Sequence, residues 1–159
     1  MQIERIDARF SRWDDLLELI LSAFAYMNGR IDPPSSAHAL TAGSLRQKAE
    51  QEIAFIVSDG AALLGCVFCR PEPPETLYIG KFAVHPDVQR KGIGGLLLKA
   101  ATQTARTLDL PRLRLETRIE LAENHATFQR WGFTRTGEKA HPGFTRITSI
   151  EMQKQLSTE

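Results

Sequence analysis

The chain has 159 residues, 42% of them hydrophobic and 25% charged, and 20 Lys and Arg against 19 Asp and Glu leave a formal net charge of +1. Length and composition are those of a single globular domain over residues 1–159, and 11 Gly and 8 Pro are too few for a collagenous or disordered chain. The near-neutral balance provides no long-range field for holding nucleic acid or an anionic membrane, so neither is expected as a partner.

Residues 2–7 alternate weakly and predict a short strand. Ser11, with Asp14 three residues on, has the form of a helix N-cap. Trp13, Leu16, Leu17, Ile20, Phe24 and Met27 follow at helical spacing, so a helix is predicted to about Met27, ended by Asn28-Gly29. The segment 31–36, Ile-Asp-Pro-Pro-Ser-Ser, reads as a stiff loop leading into a second helix over 37–50. Residues 53–58 and 63–69 predict paired strands about an Asp59-Gly60 turn. The proline-rich segment 71–75 is expected to break the sheet before a strand at 77–84. A helix over 92–108 is closed off by Asp109 and Pro111. A strand at 113–119, a short helix at 123–131, a strand opened by Gly132-Phe133 and a last strand at 145–152 complete the chain. The order β-α-α-β-β-β-α-β-α-β-β is that of a mixed α/β fold, with hairpins early and helical crossovers late. There is no internal repeat and no linker that would separate domains.

Cys66 and Cys69 fall on a predicted strand at an odd offset, which puts them on opposite faces. They predict two inert reduced thiols rather than a redox pair, and further ligands for a metal are lacking, so no metal is expected. The charged N-terminal segment has no apolar signal core, and no run approaches the roughly 18 apolar residues of a membrane span. A cytoplasmic location is the expectation.

The most informative segment runs from Leu77 to Leu98. A strand ends at Val84, and Gln89-Arg-Lys-Gly-Ile-Gly-Gly95 leads into an amphipathic helix. Glycines let a ligand approach the backbone closely, and a helix start offers free N–H groups and partial positive charge to an anion such as a diphosphate. Arg90 and Lys91 add charge beside it. The string is neither a P-loop, which needs Gly-x-x-x-x-Gly-Lys-Ser/Thr, nor a dinucleotide fingerprint, whose third glycine is replaced here by Leu97.

Gln89-x-x-Gly92-x-Gly94 after Phe82-Ala83-Val84 closely resembles motif A of the GNAT superfamily of N-acetyltransferases, and the Val-His-Pro lead-in is typical of it. The segment from Glu123 to Gly132-Phe133 resembles the family's later motif, and the element order fits along the whole chain. The resemblance implies a mainly antiparallel central sheet with a splayed strand pair and helices on both faces. It implies acetyl-coenzyme A as cosubstrate, its pantetheine lying in the splay against the backbone of Phe82, Ala83 and Val84. Its diphosphate would be held by Gln89, Arg90, Lys91, Gly92, Ile93, Gly94 and Gly95. A backbone N–H near Ala83–Val84 would stabilise the oxyanion as an amine attacks the thioester directly. The activity implied is acetyl transfer to the primary amine of a small molecule. A non-catalytic acyl-coenzyme A-binding module and an acetyltransferase of protein or tRNA remain as alternatives. The resemblance also implies that a homodimer could form, through the C-terminal strand and the charged strand face.

Two departures matter. Many relatives carry a Tyr, as general acid for the departing thiolate, where this chain has Phe128, which either packs on the pantetheine arm or is plain core. The usual Asn position is Leu121, and Asn124 either reaches the coenzyme or makes a local hydrogen bond. An alkylamine with a pKa of about 10.4 must lose a proton before it attacks. The candidates for acid–base work are Tyr78, placed by strand parity with Phe82 and Val84, and Glu116, on a strand face that reads Arg112, Arg114, Glu116, Arg118, Glu120. Tyr26, Met27 and Arg30, in the connection between the first two helices, are expected on the acceptor side. There Arg30 either clamps an acceptor carboxylate or pairs with Asp32.

Overall fold

The computed structural model describes residues 1–157. Seven strands form one sheet in the order β1-β2-β3-β4-β5-β7-β6. They are β1 Gln2–Arg5, β2 Ile53–Asp59, β3 Ala62–Glu72, β4 Thr76–Val84, β5 Arg112–Arg118, β6 Thr134–Lys139 and β7 Ser149–Gln155. Every neighbouring pair is antiparallel except β4 and β5. Those two are joined through helix α3, Ile93–Thr107, the crossover that a parallel pair requires. Helices α1, Trp13–Phe24, and α2, Ala42–Gln51, cover one face; α3 and α4, Ala122–Arg130, cover the other.

Two apolar clusters, one per face, hold these layers together. Leu16, Leu19 and Ile20 of α1 pack on Ala54, Ile56, Cys66, Phe68 and Ala83. Ile93, Leu97 and Ala101 of α3 pack on Val67, Cys69, Leu77, Ile79, Leu113 and Leu115. The two cysteines therefore do lie in opposite clusters, and burial pushes both thiols up to about 12, far from reactive. Helix α3 sits hard on β3 because Gly65 has no side chain: a Cβ there would lie 2.8 Å from Ile93 Cγ2.

The structure corrects several local expectations. Arg12, not Ser11, precedes α1, and no side chain caps it. The predicted second helix divides into a 3₁₀ turn, Ser36–Ala39, and α2, because Thr41 starts a new helix with a reciprocal capping box to Ser44. Strand β3 continues through Pro71 to Glu72, where Pro71 and Glu72 pair with Leu77 and Thr76, so the break falls after Glu72. The last strand begins at Ser149 rather than residue 145 and runs three residues further than expected, to Gln155.

Candidate active site

The parallel pairing of β4 with β5 covers only Thr76, Leu77 and Tyr78 against Arg112, Leu113 and Arg114. Beyond it, residues 79–84 and 115–118 line a fork with no ladder between them. The cause is a β-bulge. Gly80 pairs with Phe68 but Ala83 pairs with Cys66, so β4 carries one residue more than β3, and Lys81 takes up the excess at φ 48°. A bulge bends its strand, here away from β5. Unpaired backbone groups in the middle of a sheet call for a partner.

The bulge also overturns the parity expected for Tyr78. Tyr78 and Gly80 share the α1–α2 face with Ala83, while Phe82 and Val84 pack against the α3 cluster on the other.

On the α3 face, Gly92 is the helix N-cap at φ 83°. The first helical bond is donated by Leu96 N–H to Gly92 C=O at 3.1 Å, so the N–H groups of Ile93, Gly94 and Gly95 precede the ladder. Gln89, Arg90, Lys91, Gly92 and Gly95 are exposed. Ile93 is 1% exposed and can offer a ligand only its backbone. Gly94 backs onto Trp131, whose Cη2 would lie 3.0 Å from an added Cβ, whereas a Cβ at Gly95 meets nothing within 4 Å. Phe82 and Gly94 both meet Trp131, which sets the glycine-rich turn beside the end of β4. Phe128 stands among Phe82, Trp131 and Phe133, with ring centroids 6.4, 5.8 and 5.8 Å away. Its ring packs into the apolar cluster on the α3 face.

On the opposite face the fork opens into a polar cleft of about 360 Å³, walled by Tyr78, Gly80, Lys81, Arg114 and Glu116 among others. The Tyr78 ring stands between the guanidinium groups of Arg70 and Arg114, 4.7 and 4.5 Å from its centroid. It leans over Gly80, where a Cβ would lie 3.2 Å from Tyr78 Cε1. Burial raises the phenol's pKa, with the negative charge of Glu116 adding and the two arginines opposing. Arg114 donates to Glu72 at 2.9 and 3.0 Å, to Glu116 at 2.9 Å and to Glu151 at 3.4 Å. The charged face of β5 is therefore cross-paired within the chain.

The Arg114 hydrogen bonds hold the Glu72 carboxyl below its ordinary value of 4.5. A carboxyl with a depressed folded pKa stabilises the fold above its unfolded value, and that contribution is lost as pH falls through the folded one. Acid unfolding followed by circular dichroism should therefore show Glu72→Gln less stable than the parent at neutral pH. The gap should shrink steadily below about pH 4.5. A gap that stays constant with pH would mean the pair contributes nothing through ionisation.

The connection between α1 and α2 straps the open end of the fork. The Asn124 amide donates to Tyr26 Oη at 2.9 Å, which joins one residue expected to touch the coenzyme with one expected at the acceptor. Arg30 pairs with Glu123 at 2.7 Å and lies over the Tyr26 ring; its partner is thus Glu123, not Asp32. Asp32 instead meets Arg146 at 3.3 Å, and its N–H donates to Glu120. Met27, in the 3₁₀ turn Ala25–Met27, is half-buried. Arg118 donates to the carbonyls of Pro33 and Pro34 at 2.7 and 3.0 Å, tying the proline segment to the end of β5. Sequence reasoning placed Arg118 only on a charged face; no local signal marks its partners, 84 and 85 residues away.

Each histidine has a polar partner within the chain, His38 meeting the Asn28 side-chain oxygen at 3.0 Å. His85 caps the turn Pro86–Val88 by accepting from Asp87 N–H, His125 meets the Arg118 carbonyl, and His141 bonds Thr148. Among the described residues no group of three or more His, Cys, Asp or Glu side chains could hold a metal ion. Among the described residues no helix is long and apolar enough to cross a membrane.

Comparison with known proteins bears on this geometry directly. The profile of the acetyltransferase (GNAT) family matches residues 13–133. No curated protein sequence matches the chain. Among solved structures it is similar to an IAA acetyltransferase from Bacillus cereus, 22% identical with a TM-score of 0.68 over 98% of this chain and 99% of that one. A GNAT family acetyltransferase from Elizabethkingia anophelis with acetyl-CoA bound is 21% identical, with a TM-score of 0.68 over 98% and 97% of the two chains. An aminoglycoside 6'-acetyltransferase type Ii is 16% identical, with a TM-score of 0.78 over 100% and 99%.

Proposed function

The chain belongs to the GNAT acetyltransferase family, and we propose that it is an acetyl-coenzyme A-dependent N-acetyltransferase acting on the primary amine of a small molecule by direct attack in a ternary complex. The observation that carries this reading is a fork open to both faces of the sheet. A glycine-rich helix start lies on one face and a polar cleft on the other.

The residues present suit the coenzyme. The N–H groups at Gly92–Gly95 that precede the helical ladder, with Arg90 and Lys91 beside them, match a diphosphate in charge and hydrogen bonding. The edge of Phe82, Ala83 and Val84 that faces away from β3, where β5 no longer pairs, matches the amide groups of a pantetheine arm, with Phe82 and Phe128 as apolar lining. When bound, acetyl-coenzyme A supplies an activated acetyl thioester.

The chain's own groups then have separable tasks. Backbone N–H near Ala83–Val84 stabilises negative charge developing on the reacting carbonyl oxygen. Glu116, bonded to Arg114 and Lys139, faces the cleft as acceptor of the proton that the amine must shed. Tyr78, holding its proton through burial, donates it to the departing sulfur, the task for which Phe128 has no hydroxyl. Tyr26 and Met27 wall the acceptor side of the strap.

The test has two arms. Acetyl-coenzyme A should raise the melting temperature, because it binds only the folded state. A panel of small primary amines should release free coenzyme A thiol and give an acetamide detectable by mass spectrometry. Stabilisation by acetyl-coenzyme A with no amine acetylated would leave a coenzyme-binding module and end the enzyme reading.

A further inference from the structure

Lys81 is the cleft's one cation without a carboxylate partner among the described residues. Four other cations share the cleft, and each is held: Lys48 by Glu52 at 2.7 Å, Arg70 by Glu72 at 3.3 Å, Arg114 by Glu72, Glu116 and Glu151, and Lys139 by Glu116 at 3.5 Å. The Lys81 ammonium meets only the Ser36 hydroxyl, at 3.3 Å. Burial, and then the positive charge of Lys48, pull its pKa below the ordinary lysine value, with the carboxylate of Glu52, already bonded to Lys48, opposing.

Its position follows from the bulge. On an unbroken strand Lys81 would share a face with Ile79 and point into the α3 cluster. The extra residue, with Lys81 at φ 48°, brings its side chain to the cleft beside α2 and Ser36. The feature that opens the fork therefore also places an uncompensated cation next to it.

We propose that the acceptor carries, besides its amine, a compact anionic group, carboxylate or phosphate, and that Lys81 with the Ser36 hydroxyl binds that group. The inference rests on the N-acetyltransferase reading. It moves the anion clamp from Arg30, which Glu123 already holds, to Lys81. A bound anion completes the charge pairing of the cleft and directs the amine toward the fork. A polyamine in the same place adds positive charge beside Lys48 and Lys81, and both repel it.

The experiment compares kcat/KM for β-alanine, its uncharged amide, 2-aminoethyl phosphate and putrescine in the parent, Lys81→Met and Lys81→Arg. Methionine keeps the stem and tolerates the site as lysine does; arginine keeps the charge. The parent should prefer an anionic amine over the amide by at least about tenfold, as a charge-assisted hydrogen bond in a sheltered site supplies. The preference should vanish in Lys81→Met and survive in Lys81→Arg, with KM for acetyl-coenzyme A unchanged in both. Whichever anionic amine is preferred identifies the group as carboxylate or phosphate. Turnover in the parent without an anion preference, or a preference retained in Lys81→Met, overturns the inference and leaves the enzyme reading intact. If no amine is turned over, the enzyme reading fails. The anion site is then judged by melting temperature with coenzyme A present: anionic amines raising it in the parent but not in Lys81→Met support the site, and no rise in the parent overturns it.

Discussion

Gly95→Glu should fold at least as well as the parent and should not bind acetyl-coenzyme A. A Cβ at Gly95 meets nothing within 4 Å, so the side chain enters open space at the first turn of α3. Replacing glycine within a helix removes a penalty of roughly 0.5–1 kcal/mol, and a carboxylate near the N-terminus adds about 0.3–1 kcal/mol. The same carboxylate would occupy the ground assigned to the diphosphate and repel it. The parent at a ligand concentration of about 100 Kd should gain about 2.7 kcal/mol, seen as a rise in melting temperature. Gly95→Glu should show no rise while its melting temperature without ligand is equal or higher. Gly94→Glu suits the purpose less well than its sequence position suggests, because its Cβ would lie 3.0 Å from Trp131 and 3.7 Å from Phe82. Its lost binding would be mixed with lost packing. An undiminished shift in Gly95→Glu would remove this loop from the coenzyme site.

Tyr78→Phe should lower kcat by roughly the 10²–10⁴ typical of a positioned acid, while Phe128→Tyr should be neutral or faster. The phenylalanine keeps the ring between Arg70 and Arg114, so the variant isolates the hydroxyl. Tyr78 and Phe128 stand on opposite faces of the sheet. Phe128 sits in the aromatic group with Phe82, Trp131 and Phe133, and Tyr78 lines the polar cleft. If Tyr78 protonates the thiolate, a hydroxyl restored at Phe128 adds a second route and costs nothing. Single-turnover measurements should carry the comparison, since they report chemistry rather than product release. Wild-type kcat in Tyr78→Phe, with chemistry rate-limiting, would leave Tyr78 as a wall of the cleft.

The glycine-rich turn was legible because its signal is local. Gln89 to Gly95 announce a strand-to-helix turn within seven residues, and the helix start that they predict is the one observed. The opposite faces of Cys66 and Cys69 follow from strand period alone, and the hairpin at Asp59-Gly60 follows from turn chemistry. The charges on β5 were visible as alternation, and the helices on both faces were what the family resemblance implied.

The polar cleft was not legible, and the reason is one inserted residue. Alternation counts residues; a bulge shifts that count, and the extra residue on β4 moved Tyr78 away from the face of Phe82 and Val84 and turned Lys81 into the cleft. The one local sign is Gly80, since a lone glycine inside a strand often accompanies a bulge; which residue is the extra one is set by how β4 meets β3 on one side while leaving β5 on the other. The partners of Arg30, Arg114 and Arg118 were hidden for a related reason. Each guanidinium lay within reach of several carboxylates or carbonyls in principle; the docking of the α1–α2 strap across the fork chose Glu123 and the two proline carbonyls, and the order and register of β3, β4 and β5 chose Glu72. What the sequence by itself determined was the order of elements and the glycine-rich helix start, both products of local backbone preference and apolar period. What only the tertiary structure decided was which face each polar side chain of the fork presents and which charge is left unpaired there, because strand register and long-range ion pairing are settled by contacts between segments far apart in the chain.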